Sequence, residues 1–230
     1  MFCLSNPWVK RVNLYLFDFD GTLVDSAPDL VRALNLALAK AGLPAVSLAD
    51  GTRMVGHGSA KLVERALQAT TGDPTITADS PLARIVLSVF IELYGPICTE
   101  TSRLYPGALE TLEALAARGC QLGLVTNKPR EFVDYMLRPL GLDERFQVVI
   151  AGDDLATKKP APEMVLHALQ LLSVPANQAC LVGDSIADLA AAQAAGVTPI
   201  LVRYGYHGDL DVDASGVRVI DQLTELVEPV

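Results

Sequence analysis

The sequence predicts an α/β fold: a doubly wound (Rossmann-like) parallel-sheet core with an inserted all-helical domain. Three observations predict it. Short, near-continuously apolar runs recur along the chain, each bounded by Gly, Asp or Pro, as strands buried on both faces of a parallel sheet require. Helix-like segments alternate with these runs over the second half. One long interval, from about 27 to 104, carries helical patterning and no strand-like run.

In chain order, the predicted strands are 13–17 (NLYLF), 121–125 (QLGLV), 147–151 (QVVIA), 179–182 (ACLV), 199–202 (PILV) and 217–220 (VRVI). Between them, 108–118 reads as a helix stopped by Gly119. Segment 162–172 opens with Pro and Glu, as a first turn does, and 186–195 stops at Gly196. In the interval without strands, helices are predicted at about 28–41, 59–70 and 80–97, separated by Gly42/Pro44, Gly56–Gly58 and Gly72–Pro74. The chain therefore divides into a core of 1–26 with 105–230 and an inserted helical domain of 27–104. It leaves the core near Ser26 and returns near Tyr105-Pro106-Gly107.

Composition narrows the function classes. The 230 residues are 50% apolar and 20% charged, which is globular material and the opposite of a disordered chain. Acidic residues number 27 against 18 basic, for a net charge of -9. A surface of that sign repels nucleic acid and anionic lipid, so neither is an expected partner. It also repels a small anionic substrate, which must then be drawn in by a metal or by a few placed Lys and Arg. Cys3, Cys98, Cys120 and Cys180 are scattered with no CxxC pair, as expected of idle thiols in a reducing compartment. Pro7, Lys10 and Arg11 make the first twelve residues unlike a secretory signal. No apolar run reaches membrane-span length. The expectation is a soluble, cytoplasmic protein, with Trp8 and Tyr94 read as packing residues.

Ligands of open parallel sheets bind outside the carboxyl ends of the strands, and there the chemistry concentrates. Asp18-Phe19-Asp20-Gly21-Thr22 follows the first strand and Thr126-Asn127 the second. Gly152-Asp153-Asp154 and then Lys158-Lys159-Pro160 follow the third, and Gly183-Asp184-Ser185 with Asp188 the fourth. Carboxylates gathered at one edge repel one another and raise each other's pKa. A bound Mg²⁺, which prefers oxygen ligands, removes that conflict.

These segments carry a resemblance. Asp18-Phe19-Asp20-Gly21-Thr22-Leu23-Val24-Asp25-Ser26 resembles the first motif of the haloacid-dehalogenase superfamily. Thr126-Asn127 resembles its second motif, Lys159-Pro160-Ala161-Pro162 its third and Gly183-Asp184-Ser185-Ile186-Ala187-Asp188 its fourth, all in family order. The inserted helices stand where the family's cap domain stands. The resemblance implies Asp18 as nucleophile of an aspartyl-phosphate mechanism and Asp20 as general acid, then base. It implies Thr126, Asn127 and Lys159 around the phosphoryl oxygens. Mg²⁺ would be held by Asp18, the backbone carbonyl of Asp20, and Asp184, with Asp188 behind as a water-mediated ligand or orienting Lys159.

Val55-Gly56-His57-Gly58, Leu104-Tyr105-Pro106-Gly107 and Val202-Arg203-Tyr204-Gly205-Tyr206-His207 resemble the phosphoglycolate phosphatase branch, with His at two positions where Asn is usual. The implied reaction is hydrolysis of 2-phosphoglycolate to glycolate and phosphate, by a monomer or homodimer acting on a small phosphorylated substrate. Arg53 and His57, with Lys61 behind them, are the candidate cap contacts. The alternatives are hydrolysis of a sugar phosphate, N-acetylmuramate 6-phosphate or pyrophosphate, or a phosphomutase of the same fold. A dehalogenase is disfavoured by Asp20, because a departing halide needs no proton.

Overall fold

Period-two alternation sorts the first strand's side chains onto the two faces of one sheet. In the computed structural model, which describes residues 12–208 and 210–227, β1 spans Leu14–Phe17. Leu14 and Leu16 join one apolar cluster and Phe17 another. The readings of Cys3, Pro7, Trp8, Lys10 and Arg11 lie outside the described residues.

After β1 come β2 (Val24–Asp25) and four helices: α1 (Ala27–Lys40), α2 (Leu48–Met54), α3 (Ser59–Thr71) and α4 (Pro81–Ile97). The chain re-enters through β3 (Arg103–Leu104) and continues as α5 (Ala108–Ala117), β4 (Gln121–Val125), α6 (Arg130–Leu137), β5 (Val148–Ile150) and α7 (Glu163–Leu172). It ends with β6 (Ala179–Gly183), α8 (Ile186–Ala195), β7 (Thr198–Val202) and β8 (Arg218–Ile220). Six strands form one sheet in the order β5-β4-β1-β6-β7-β8, every pair parallel. β1 sits centrally, with Phe17 in register with Leu124 on one side and Val182 on the other. Helices cover both faces, as a parallel sheet requires. Met164, Val165 and Ala168 of α7 and Ala191 and Ala192 of α8 pack with Leu14 and Leu16. Phe132 and Val133 of α6 and Leu112 and Leu115 of α5 join the cluster of Phe17.

The six predicted strands and the three helices predicted after residue 105 fall within a residue or two of their expected places. Three features were not predicted. α2 is a single short stretch whose start is marked by Ser47, which accepts a hydrogen bond from the Asp50 N–H at 3.0 Å; at seven residues it shows no periodicity to read. α6 is scarcely longer. β2 and β3 form a two-stranded antiparallel ribbon, Val24 opposite Leu104 and Asp25 opposite Arg103, so the exit and return of the helical insert are hydrogen-bonded to each other. The insert helices pack chiefly on one another, α1 and α3 both against α4, and their Leu34, Leu38, Leu67 and Phe90 run on into the same apolar cluster as Phe17 and Leu124.

A buried carboxylate fastens this junction. Asp29, in the first turn of α1, is fully buried. It accepts from the Thr101 N–H (2.9 Å) and Oγ1 (2.5 Å) and from the Ser102 N–H (2.7 Å) and Oγ (2.8 Å). Burial alone would push this carboxyl's pKa up; the bonds from Thr101 and Ser102 more than offset it and hold the pKa below its ordinary value. Because the folded value is depressed, the stabilisation is complete above the ordinary carboxylate pKa of about 4. It is lost as pH falls through the folded value. Asp29→Asn is expected to cost about 3 kcal/mol at neutral pH. The gap between wild type and variant in urea melts should close in acid; a gap that does not narrow would show that the charge contributes nothing.

Candidate active site

The residues predicted to act together meet at the carboxyl edge of β1, β4 and β6. Asp18 follows β1 directly, and its N–H still bonds the Val182 carbonyl at 2.9 Å, so the sheet fixes its backbone. Its buried carboxylate accepts from the Phe19 N–H at 2.7 Å and lies 3.0 Å from the Lys159 ammonium. Lys159 is fully buried and reaches Asp188 at 2.5 Å. Lys158 beside it is exposed, as expected.

Asp188 has a second task. It closes a capping box at the start of α8, its Oδ2 accepting from the Ser185 N–H (3.1 Å) and Oγ (2.6 Å). Asp184 is held by the Thr22 hydroxyl at 3.0 Å and the Tyr206 N–H at 2.7 Å. Gly21 makes this approach possible. Its φ is 82°, and a Cβ there would stand 2.2 Å from Asp184 Oδ2, so no larger residue fits.

The electrostatics follow from burial. The Asp18 carboxyl is pushed up to about 6 by burial, against the pull of Lys159. Asp184 is raised by burial and by the carboxylates of Asp188 and Asp18. Lys159 stays charged: burial disfavours the ammonium, but Asp18 and Asp188 together more than restore it. Asp18, Asp184 and Asp188 each place an oxygen within 4.8 Å of the others. Three buried carboxylates with one ammonium leave excess negative charge, and an all-oxygen donor set fits a hard divalent cation.

Asp20 is separate from this cluster. Its carboxylate accepts from the Ser26 hydroxyl at 2.5 Å and from the Lys128 ammonium at 3.0 and 3.1 Å. Thr126 is buried and lines the same cavity as Asp18, its hydroxyl accepting from the Lys128 N–H at 3.3 Å. The Asn127 side chain works as a brace: it accepts from the Lys159 N–H at 3.0 Å and donates to the Lys159 carbonyl at 2.8 Å and the Gly56 carbonyl at 3.2 Å.

A narrow cavity of about 30 Å³ opens onto Asp18 and Asp20. Thr126, Asn127 and Lys128 line it from the core; Leu30, Val55, Gly56, Leu62 and Tyr94 line it from the insert. Arg53 and His57 are not among its lining residues. Both face a wider cleft with Arg65, Ser185 and His207, where Arg53 is exposed and paired with Asp50. Lys61 pairs with Glu64. The buried Nδ1 of His57 has no hydrogen-bond partner, and burial, then the charge of Arg65, lowers the ring's pKa.

The sequence did not single out Lys128, although it stands directly after Thr126-Asn127. Tyr94, expected to be packing alone, does pack: its ring stacks on Phe90 at 5.4 Å and meets Phe132 edge-on at 4.8 Å. Its hydroxyl also accepts from Lys128 at 2.7 Å. The buried thiols of Cys98 and Cys180 have their pKa values raised by burial, which keeps them protonated and inert. No helix among the described residues is long and apolar enough to cross a membrane.

Comparisons with known proteins agree on the family. The family model for haloacid dehalogenase-like hydrolases matches residues 15–202. A phosphoglycolate phosphatase of Cupriavidus necator is 41% identical over 212 residues, covering 92% of this chain and 90% of that protein. The Escherichia coli phosphoglycolate phosphatase is 39% identical over 219 residues, covering 90% and 87%. A crystal structure described as a predicted phosphoglycolate phosphatase from Haemophilus somnus superposes with a TM-score of 0.87 at 32% identity, covering 94% of this chain and 96% of that one.

Proposed function

Because this chain belongs to the haloacid dehalogenase-like hydrolase family, we propose that it is a Mg²⁺-dependent phosphoric monoester hydrolase whose substrate is 2-phosphoglycolate. The observation that carries this reading is the buried Asp18, paired with Lys159 beside two further carboxylates, with a second aspartate, Asp20, facing the same small cavity.

In the first step an Asp18 oxygen attacks phosphorus, the phosphorus–ester oxygen bond breaks and the alkoxide takes a proton from Asp20. In the second, a water gives a proton to Asp20 and attacks the aspartyl-phosphate. The bond from phosphorus to Asp18 then breaks and inorganic phosphate leaves. Thr126 and Lys159 hold the transferring oxygens, which is the positioning and charge neutralisation that phosphoryl transfer needs. Asp18, the Asp20 carbonyl and Asp184 would hold Mg²⁺, with Asp188 behind them. When bound, the metal neutralises charge on the phosphoryl oxygens and on the carboxylates.

Residues 27–104 serve as the cap over this site. A cavity of about 30 Å³ has room for little more than water, so substrate enters when the cap swings away from the core. The closed volume favours a small ester. The identities to phosphoglycolate phosphatases support the choice among small esters.

Phosphate release from 2-phosphoglycolate, hexose phosphates, N-acetylmuramate 6-phosphate and pyrophosphate, with Mg²⁺ and with a chelator, tests the reading. It stands if 2-phosphoglycolate is preferred and chelation abolishes turnover. Preference for a sugar phosphate would retain the mechanism and replace the substrate. Metal-independent turnover would remove the mechanism.

A further inference from the structure

We propose that Lys128 docks the carboxylate of the substrate, and so makes the site select a phosphorylated carboxylic acid over a phosphate ester that lacks that carboxylate. The inference rests on the hydrolase reading above and adds a residue and a substrate class to it.

Among the described residues, Lys128 carries the one ammonium lining the cavity; Lys159 is paired with Asp18 at the cavity's edge. The Lys128 side chain is 2% exposed. It is framed by the Asp20 carboxylate at 3.0 and 3.1 Å and the Tyr94 hydroxyl at 2.7 Å. The rings of Tyr94 and Phe19 lie with centroids 4.8 and 5.7 Å away, the arrangement of a cation held against aromatic faces. Among the described residues, Asp20 is the one carboxylate within ion-pair distance of it.

Asp20 and Lys128 line the same small cavity, side by side. A substrate carboxylate that enters beside Asp20 therefore meets a cation already held in place by its surroundings, which is the condition under which a fixed charge binds an anion best.

The distances allow the contact. Asp20 must reach the ester oxygen at hydrogen-bond range, roughly 2.6–3.2 Å, and Lys128 lies 3.0 Å from Asp20. In 2-phosphoglycolate the carboxylate carbon is two bonds from that ester oxygen, so it arrives beside Lys128 when the phosphoryl group faces Asp18. Tyr94 comes from α4 of the insert and Lys128 from the core. The docking point is therefore complete only when insert and core are closed on each other.

The test compares 2-phosphoglycolate with ethyl phosphate, which keeps the phosphate end and replaces the carboxylate by a methyl group. Wild type is expected to favour the acid in kcat/KM by about 10²-fold or more, as a site built to bind a buried polar group rejects a ligand lacking it. Lys128→Met is expected to collapse that ratio to near unity, with Lys128→Arg retaining part of it. A wild-type enzyme with no preference for the acid overturns the inference without any variant. Equal losses on both esters in Lys128→Met also overturn it, because Lys128 would then act only by positioning Asp20.

Binding of the non-hydrolysable pair 3-phosphonopropionate and propylphosphonate, measured by calorimetry with Mg²⁺, gives a readout independent of turnover. Selective weakening of the carboxylate-bearing analogue in Lys128→Met supports the docking role, and unchanged selectivity overturns it. If wild type hydrolyses neither ester, the reaction assigned above fails, and this binding comparison still decides the role of Lys128.

Discussion

Asp18→Asn is expected to lower kcat/KM by at least about 10⁴-fold, the scale on which removal of a nucleophile is felt, while the fold survives. The amide keeps the shape of the carboxyl but is too poor a nucleophile to form the aspartyl-phosphate. Stability is expected to move the other way. The Asp18 carboxyl is raised to about 6 by burial, so its ionised form is less favourable in the folded chain than in the unfolded one. A raised folded value on an acid means stability is lost as pH climbs from the ordinary carboxylate range through about 6. In a chelator at neutral pH, Asp18→Asn should therefore melt at or above wild type. Retained turnover would remove Asp18 from the nucleophile's role. A large fall in melting temperature would show that the Lys159 pairing outweighs the burial of charge.

Asp20→Asn is expected to cost about 10²–10⁴-fold on 2-phosphoglycolate, the usual range for general acid–base catalysis. The loss should depend on the leaving group. Acetyl phosphate is small and expels acetate, which needs no proton, so transfer to Asp18 should be largely spared. The second step still lacks its base, and the phosphorylated enzyme should accumulate. Intact-protein mass spectrometry after mixing with acetyl phosphate would detect one added phosphoryl group. Equal losses on both substrates, with no phosphoenzyme, would remove Asp20 from proton transfer.

The sheet was legible because each core strand is a continuous apolar run ended by a polar or small residue, and because a parallel sheet puts all those ends on one edge. That edge gathers Asp18, Thr126, Lys159 and Asp184 without any knowledge of their contacts. What the sequence hid depends on distance in the chain. Lys128 looks like a solvated lysine until α4 brings Tyr94 over it, and Tyr94 looks like core because most of its surface is core. Asn127 stands in the sequence beside Thr126 as if to handle phosphate, yet its amide is occupied by the backbone of Lys159 and by Gly56. Arg53 and His57 lie near the crevice in sequence terms, but Arg53, in the last turn of α2, and His57, in the turn after it, both line the wider cleft. Such placements depend on how the insert packs on the core, and no local pattern encodes that.

The capping box of α8 has a consequence for how catalytic competence arises. One carboxylate, Asp188, caps the start of a core helix and grips the ammonium that lies against Asp18. The start of the helix and the placing of Lys159 therefore share one side chain. The orientation of the positive charge is thus settled in the same cooperative event as the folding of the sheet's flank. Nothing in that part of the site has to rearrange when substrate arrives, which is the condition under which fixed charges lower a barrier most.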